Sequence, residues 1–128
     1  MPDVTYYPFP QKTSLPFSAA VRVGNLLFVS GQMGTNDKTE IVSGGIEAET
    51  RQTIANMKSI LERHGSSLDR VVKCTVMLAD MKEWPAMNKV YVEHFTRNLP
   101  ARSAFGCSAL ALGGRVEIEC IATVDSPE

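Results

Sequence analysis

The chain has 128 residues, of which 44% are hydrophobic and 21% charged, with a formal net charge of -1. A chain of this length fits one domain, residues 1–128, able to bury roughly two thirds of the surface its unfolded form exposes, so no disulfide or metal is needed to hold it together. The balance of charge, with a sequence pI near 6.1, lacks the clustered basic surface of a nucleic-acid binder, and no segment is long and apolar enough to cross a membrane.

Residues 1–17 read as an extended lead-in, because Pro2, Pro8, Pro10 and Pro16 each fix their own φ and disfavour helix in the residue before. The first ten residues lack the basic region and the apolar core of a secretory signal. Three cysteines, Cys74, Cys107 and Cys120, form no C-x-x-C pair and leave an odd count, which fits reduced thiols and a cytoplasmic setting. Ser18 to Val23 and Leu26 to Gln32 are β-rich runs around Gly24-Asn25, the signature of a tight hairpin. A polar, turn-forming stretch follows from Gly34 to Gly45.

Glu47 to His64 predicts a helix, with Ile54, Met57, Ile60 and Leu61 recurring on one face. Arg70 to Ala79 alternates as a strand, with Val72, Cys74, Val76 and Leu78 on one side and Val71, Lys73, Thr75 and Met77 on the other. Asp80 and Glu83 have capping-box spacing ahead of a second helix, on which Trp84, Met87, Asn88, Tyr91 and Phe95 share a face. Asn88 interrupts that apolar stripe, so its amide needs either a structural partner or a ligand. Ser103 to Ala109 and Arg115 to Val124 then read as a final hairpin around Leu110 to Gly114. The predicted architecture is α+β in the order β-β-α-β-α-β-β, a single sheet with both helices on one face.

Two charged groups stand out. Arg102, in Pro100-Ala101-Arg102-Ser103, offers a planar fork of donors that matches a carboxylate, and Glu117, in Val116-Glu117-Ile118-Glu119, can handle a proton. In a hairpin turning near Leu112, Arg102 lies opposite about residue 122, on the order of 16 Å from Glu117. The two can share one small ligand only if they come from different subunits, so an oligomer is expected. His64 and His94 sit in separate predicted helices without a metal-ligand pattern, which disfavours a metal hydrolase.

These segments, together with Ser30-Gly31-Gln32, Ile54-Ala55-Asn56, Val71-Val72-Lys73, and Asn88 with Tyr91, resemble the YjgF-like reactive-intermediate deaminases, the Rid enamine/imine deaminase family, over nearly the whole chain. The resemblance implies a chorismate-mutase-like fold assembled as a homotrimer with clefts between subunits. It further implies hydrolysis of 2-enamine/2-imine acids, such as 2-aminoacrylate or 2-aminocrotonate, to 2-keto acids and ammonia without a cofactor. In that likeness Arg102 is the carboxylate anchor and Glu117 the acid that activates water, while Asn88, Ser30 and Gly31 line the pocket. Two positions depart from the family pattern: Phe17 stands where a tyrosine is common, and Ala104 where a cysteine is common. The alternatives are a trimer that binds keto acids without turnover, favoured by Phe17 and Ala104, and a weak endoribonuclease or translation-inhibiting activity.

Overall fold

The computed structural model describes residues 3–11 and 14–125. The predicted single-domain span therefore includes termini, and the lead-in includes Pro2, that lie outside the described residues. Six strands form one mixed sheet: β1 (Val4–Tyr7), β2 (Ala20–Val23), β3 (Leu26–Met33), β4 (Val71–Leu78), β5 (Ala101–Gly106) and β6 (Val116–Thr123). Their spatial order is β1-β2-β3-β6-β4-β5. Two helices, α1 (Gly45–Arg63) and α2 (Trp84–His94), cover one face.

The predicted hairpin forms between β2 and β3, with Val23 paired to Leu26 and Gly24 at φ 57 supplying the left-handed residue that the tight turn requires. The lead-in holds more structure than the proline pattern implies. Val4–Tyr7 pairs antiparallel with β2 as an edge strand, where a following proline does no harm. Tyr7 stacks on His64 at the end of α1, with ring centroids 4.0 Å apart, and so ties this strand to the helix layer.

The expected hairpin between the last two strands does not form. α2 is a crossover connection, and it lays β5 parallel to β4 at the sheet edge, with Arg102 opposite Cys74. The chain then passes through a 3-10 turn (Ala111–Gly113) to the other side of β4, where β6 fills the gap between β3 and β4. β6 suits a central position because Val116, Ile118, Cys120 and Ala122 bury one continuous apolar face under the helices. A fully buried side chain such as Ile118 contributes on the order of 1.5–3 kcal/mol.

Strict alternation also fails at the start of β4. A register shift between Val71 and Lys73 puts Val71 in the core and leaves Val72 44% exposed, the reverse of the predicted faces. The Asp80 carboxylate does cap, accepting from the Lys82 N–H at 2.9 Å, but it serves a 3-10 turn (Met81–Glu83) ahead of α2. Glu83 does not complete the box, because its carboxylate accepts from Arg115 Nη1 at 3.1 and 3.2 Å. Arg115 also donates its backbone N–H to Glu49 Oε1 at 2.8 Å. Glu49 is only 4% exposed, so this charge on α1 is buried and paired, and it fixes the strand that begins at Val116. Asn56, also on α1, donates to the carbonyls of Met33 and Thr35 at 2.9 and 3.0 Å, pinning the end of β3.

Candidate active site

The edge strand β5 brings Arg102 to the helix side of the sheet, the side shared by its register partner Cys74. Arg102 Nη1 donates to Asn88 Oδ1 at 2.7 Å, and Cζ lies 4.7 Å from the centroid of the Tyr91 ring. Asn88 and Tyr91 are neighbours on α2 at a spacing of three, so one helical face grips the guanidinium at a corner and under a face. Among the described residues no carboxylate comes within 4.0 Å of Arg102, and none accepts from Nε or Nη2. A cation held this way, with half of its fork open, is arranged to take a carboxylate through two parallel hydrogen bonds. Ala104, two residues on and on the same side, is partly buried against the core.

Tyr91 is buried and stacks on Phe95 with centroids 4.5 Å apart and ring planes at 26°. Its hydroxyl lies beside the Cys74 thiol, a weak sulfur partner, and has no oxygen or nitrogen partner among the described residues. Burial pushes the pKa of both groups up, so both stay protonated and neutral under Arg102.

A second group of residues gathers around the bulge in β3. Pairing jumps from Val29 with Cys120 to Gln32 with Ile118, so Ser30 and Gly31 together face Glu119. The Glu117 carboxylate occupies the place a Cβ at Gly31 would fill. Glycine is needed here for close approach. Burial first, then the neighbouring Glu119 charge, hold Glu117 above the usual carboxylate range. Ser30 Oγ donates to the Ser18 carbonyl at 2.6 Å, so its proton is committed and toward a ligand it acts as an acceptor. Phe17 comes just before Ser18, half-exposed, with its ring edge-on to Phe9 at 5.7 Å.

The two groups do not meet within one chain. Arg102 aligns through Cys74 with Cys120, whereas Glu117 aligns with Met77, so it lies two strands over from Arg102 and three residues along. That offset is about 14 Å between Cα positions. Moreover, Glu117 lies between Val116 and Ile118, both buried under the helices, so it projects from the opposite face. The separation expected from a hairpin thus survives for a different reason, a strand interposed between the two. That opposite face also carries exposed apolar side chains, Leu26, Phe28, Val72 and Phe105 each 40–46% exposed, and no helix among the described residues covers it. No cluster of three or more histidine, cysteine or acidic side chains suited to a metal ion occurs among the described residues, and no helix there is long and apolar enough to cross a membrane.

Residues 10–124 match the family model described as Endoribonuclease L-PSP. The chain is 47% identical over 108 residues to a RutC family protein of Pyrococcus horikoshii, covering 84% of this chain and 86% of that one. It is 41% identical over 108 residues to human 2-iminobutanoate/2-iminopropanoate deaminase, covering 84% and 79%. Among solved structures, yeast Mmf1 superposes with a TM-score of 0.86 at 37% identity over 96% of this chain and all of that one. RidA from the Antarctic bacterium Psychrobacter superposes at 0.83, with 37% identity over 93% and 94%.

Proposed function

Because this chain belongs to the endoribonuclease L-PSP family, the YjgF/Rid group, we propose that it is an enzyme hydrolysing reactive 2-imino acids to 2-keto acids and ammonia, at sites shared between neighbouring subunits of a homotrimer. The observation that carries this reading is the pre-set Arg102 guanidinium, held by Asn88 and Tyr91 and left without a carboxylate of its own. The substrate carboxylate binds there, which fixes the imine carbon one bond away. A water then adds to that carbon, forming the C–O bond while the nitrogen takes a proton. The carbinolamine then collapses: its hydroxyl proton passes to the nitrogen, the C–N bond breaks as the C=O bond forms, and ammonia leaves. Glu117 of the neighbouring subunit takes the proton from water and returns it to nitrogen, a role suited to a carboxyl held above its ordinary pKa. Substrates are small 2-enamine/2-imine acids such as 2-aminoacrylate or 2-aminocrotonate, which take water as their imine tautomers.

The shared site rests on the geometry of one chain. Arg102 and Glu117 lie on opposite faces of the sheet, and an apolar face lies open for a second copy to cover. Ser30 and Gly31 form the wall beside Glu117, and Phe17 offers a ring without a hydroxyl. Ala104 leaves room beside the anchor. The free cysteines, Cys74 and Cys120 buried among them, fit a cytoplasmic setting.

The test is to generate 2-aminoacrylate or 2-aminocrotonate in situ with a dehydratase, trap free imine with semicarbazide, and follow keto-acid release. The wild-type chain is expected to accelerate release and to elute at three times its monomer mass. Keto acids that bind without any acceleration would select a non-catalytic binding trimer instead. Within the same assay, Gly31→Ala is expected to lower kcat at least about tenfold, since displacing a reacting group by about 1 Å can cost a hundredfold. The clash is with the mobile end of a side chain, so Tm should shift by no more than about 4 °C. A variant with unchanged kcat would remove the Glu117 carboxylate from the reaction.

A further inference from the structure

We infer that Tyr91, backed by Phe95, is a positioning residue that presents the Nε and Nη2 edge of Arg102 to the substrate carboxylate, an inference that rests on Arg102 being the anchor. Arg102 sits on an edge strand, where a long side chain has many rotamers to choose from and would lose freedom on binding. Two contacts remove that freedom in advance. Asn88 accepts from Nη1 at 2.7 Å and so fixes one corner of the guanidinium in its own plane. The Tyr91 ring, 4.7 Å from Cζ, fixes the plane itself by attraction between the cation and the π face. Together they leave Nε and Nη2, the pair of donors that matches a carboxylate side-on, without a protein acceptor among the described residues.

The ring is itself held. Tyr91 is 6% exposed and stacks on Phe95, which is 4% exposed, so cation and two rings form a column reaching into the core. The Phe95 N–H closes the helix end on the Tyr91 carbonyl at 3.1 Å, which locks the spacing of the two rings. Among the described residues the phenol hydroxyl has no oxygen or nitrogen partner and lies only beside the Cys74 thiol, which separates the function of the ring face from that of the oxygen. A tyrosine kept for its hydroxyl would have that group on a strong oxygen or nitrogen partner, and a thiol is only a weak one. Here the π face touches the functional cation and the oxygen does not.

The experiment compares Tyr91→Leu, Tyr91→Phe and Arg102→Ala in the keto-acid release assay and in direct binding of 2-oxobutanoate by calorimetry. Tyr91→Leu keeps an apolar side chain and removes the π face, and is expected to weaken 2-oxobutanoate binding by roughly three- to thirtyfold, the range of a partly desolvated cation–π contact. KM should rise by a similar factor with kcat changed by less than about threefold. Tyr91→Phe keeps the face and should rescue both. Nuclear magnetic resonance of the wild-type protein supplies a measurement independent of folding in any variant: the Arg102 Nε–H and Cδ protons should be displaced upfield by the Tyr91 ring current. Equal weakening in Tyr91→Phe and Tyr91→Leu, wild-type binding in Tyr91→Leu, or Arg102 protons at ordinary shifts would each overturn the inference. Undiminished binding in Arg102→Ala would instead overturn Arg102 as anchor, so the two failures are distinguishable.

Discussion

Arg102→Ala is expected to lower kcat/KM for 2-imino acids by two to four orders of magnitude. The fork of Arg102 offers two charge-assisted hydrogen bonds to the substrate carboxylate, each contributing about 1.5–3 kcal/mol, and a factor of ten corresponds to about 1.4 kcal/mol. Most of the loss should appear in KM and in the binding of keto acids, because the carboxylate is anchored equally before and during reaction. A smaller part should appear in kcat, since an unanchored imine no longer holds its carbon at the attack distance. Arg102→Lys keeps the charge but neither the planar fork nor the face that lies on Tyr91, and should fall between wild type and alanine. The fold should persist in both, because Arg102 lies at an edge outside the apolar core and the Asn88 amide it leaves behind is only half-buried. Steady-state kinetics with a thermal melt of each variant checks this. A kcat/KM within threefold of wild type in Arg102→Ala would mean that the carboxylate is held elsewhere.

The separation of what the sequence reveals from what it hides follows the range of the interactions. The two helices, the first hairpin and the apolar face of β6 are written in local periodicity and turn chemistry, and each appears within a few residues of its expected place. Strand pairing is not local. Nothing between Arg102 and Glu117 announces that β5 pairs with β4 while β6 crosses to its other side; that outcome depends on how α2 packs back onto the sheet. The strand Val4–Tyr7 is hidden by its flanking prolines, which look like disorder of pattern but are harmless on an edge. Glu49 reads as an ordinary solvated helix charge, and its burial depends on Arg115, 66 residues further on.

The candidate site divides in the same way. Arg102, Glu117 and Asn88 are visible as residue types whose chemistry is unusual for their positions. Tyr91 is not, since it falls on the apolar stripe of α2 and serves there as a core residue as well. Its second role arises only when the parallel pairing of β4 with β5 sets Arg102 over its ring. Gly31 is similar. The motif marks it as part of a wall, but only the register jump in β3 shows that its missing Cβ makes room for the Glu117 carboxylate.

Glu117→Gln is expected to reduce kcat by two to four orders of magnitude, the usual contribution of a positioned general acid–base group, while keto-acid binding changes far less. Glutamine has the same shape, so it fits over Gly31 and the loss cannot be ascribed to a collapsed wall. The pH profile carries the sharper expectation. Glu117 takes a proton from water only when ionised, so activity is present above its pKa and is lost as pH falls through it. Burial and the Glu119 charge both raise that pKa, placing the acid limb of kcat/KM above the value near 4.3 of an unperturbed glutamate. Glu119→Gln removes the like charge and should move the limb toward lower pH, whereas Glu117→Gln should abolish it. A limb unmoved by Glu119→Gln, or wild-type kcat in Glu117→Gln, would assign the proton transfer to another group.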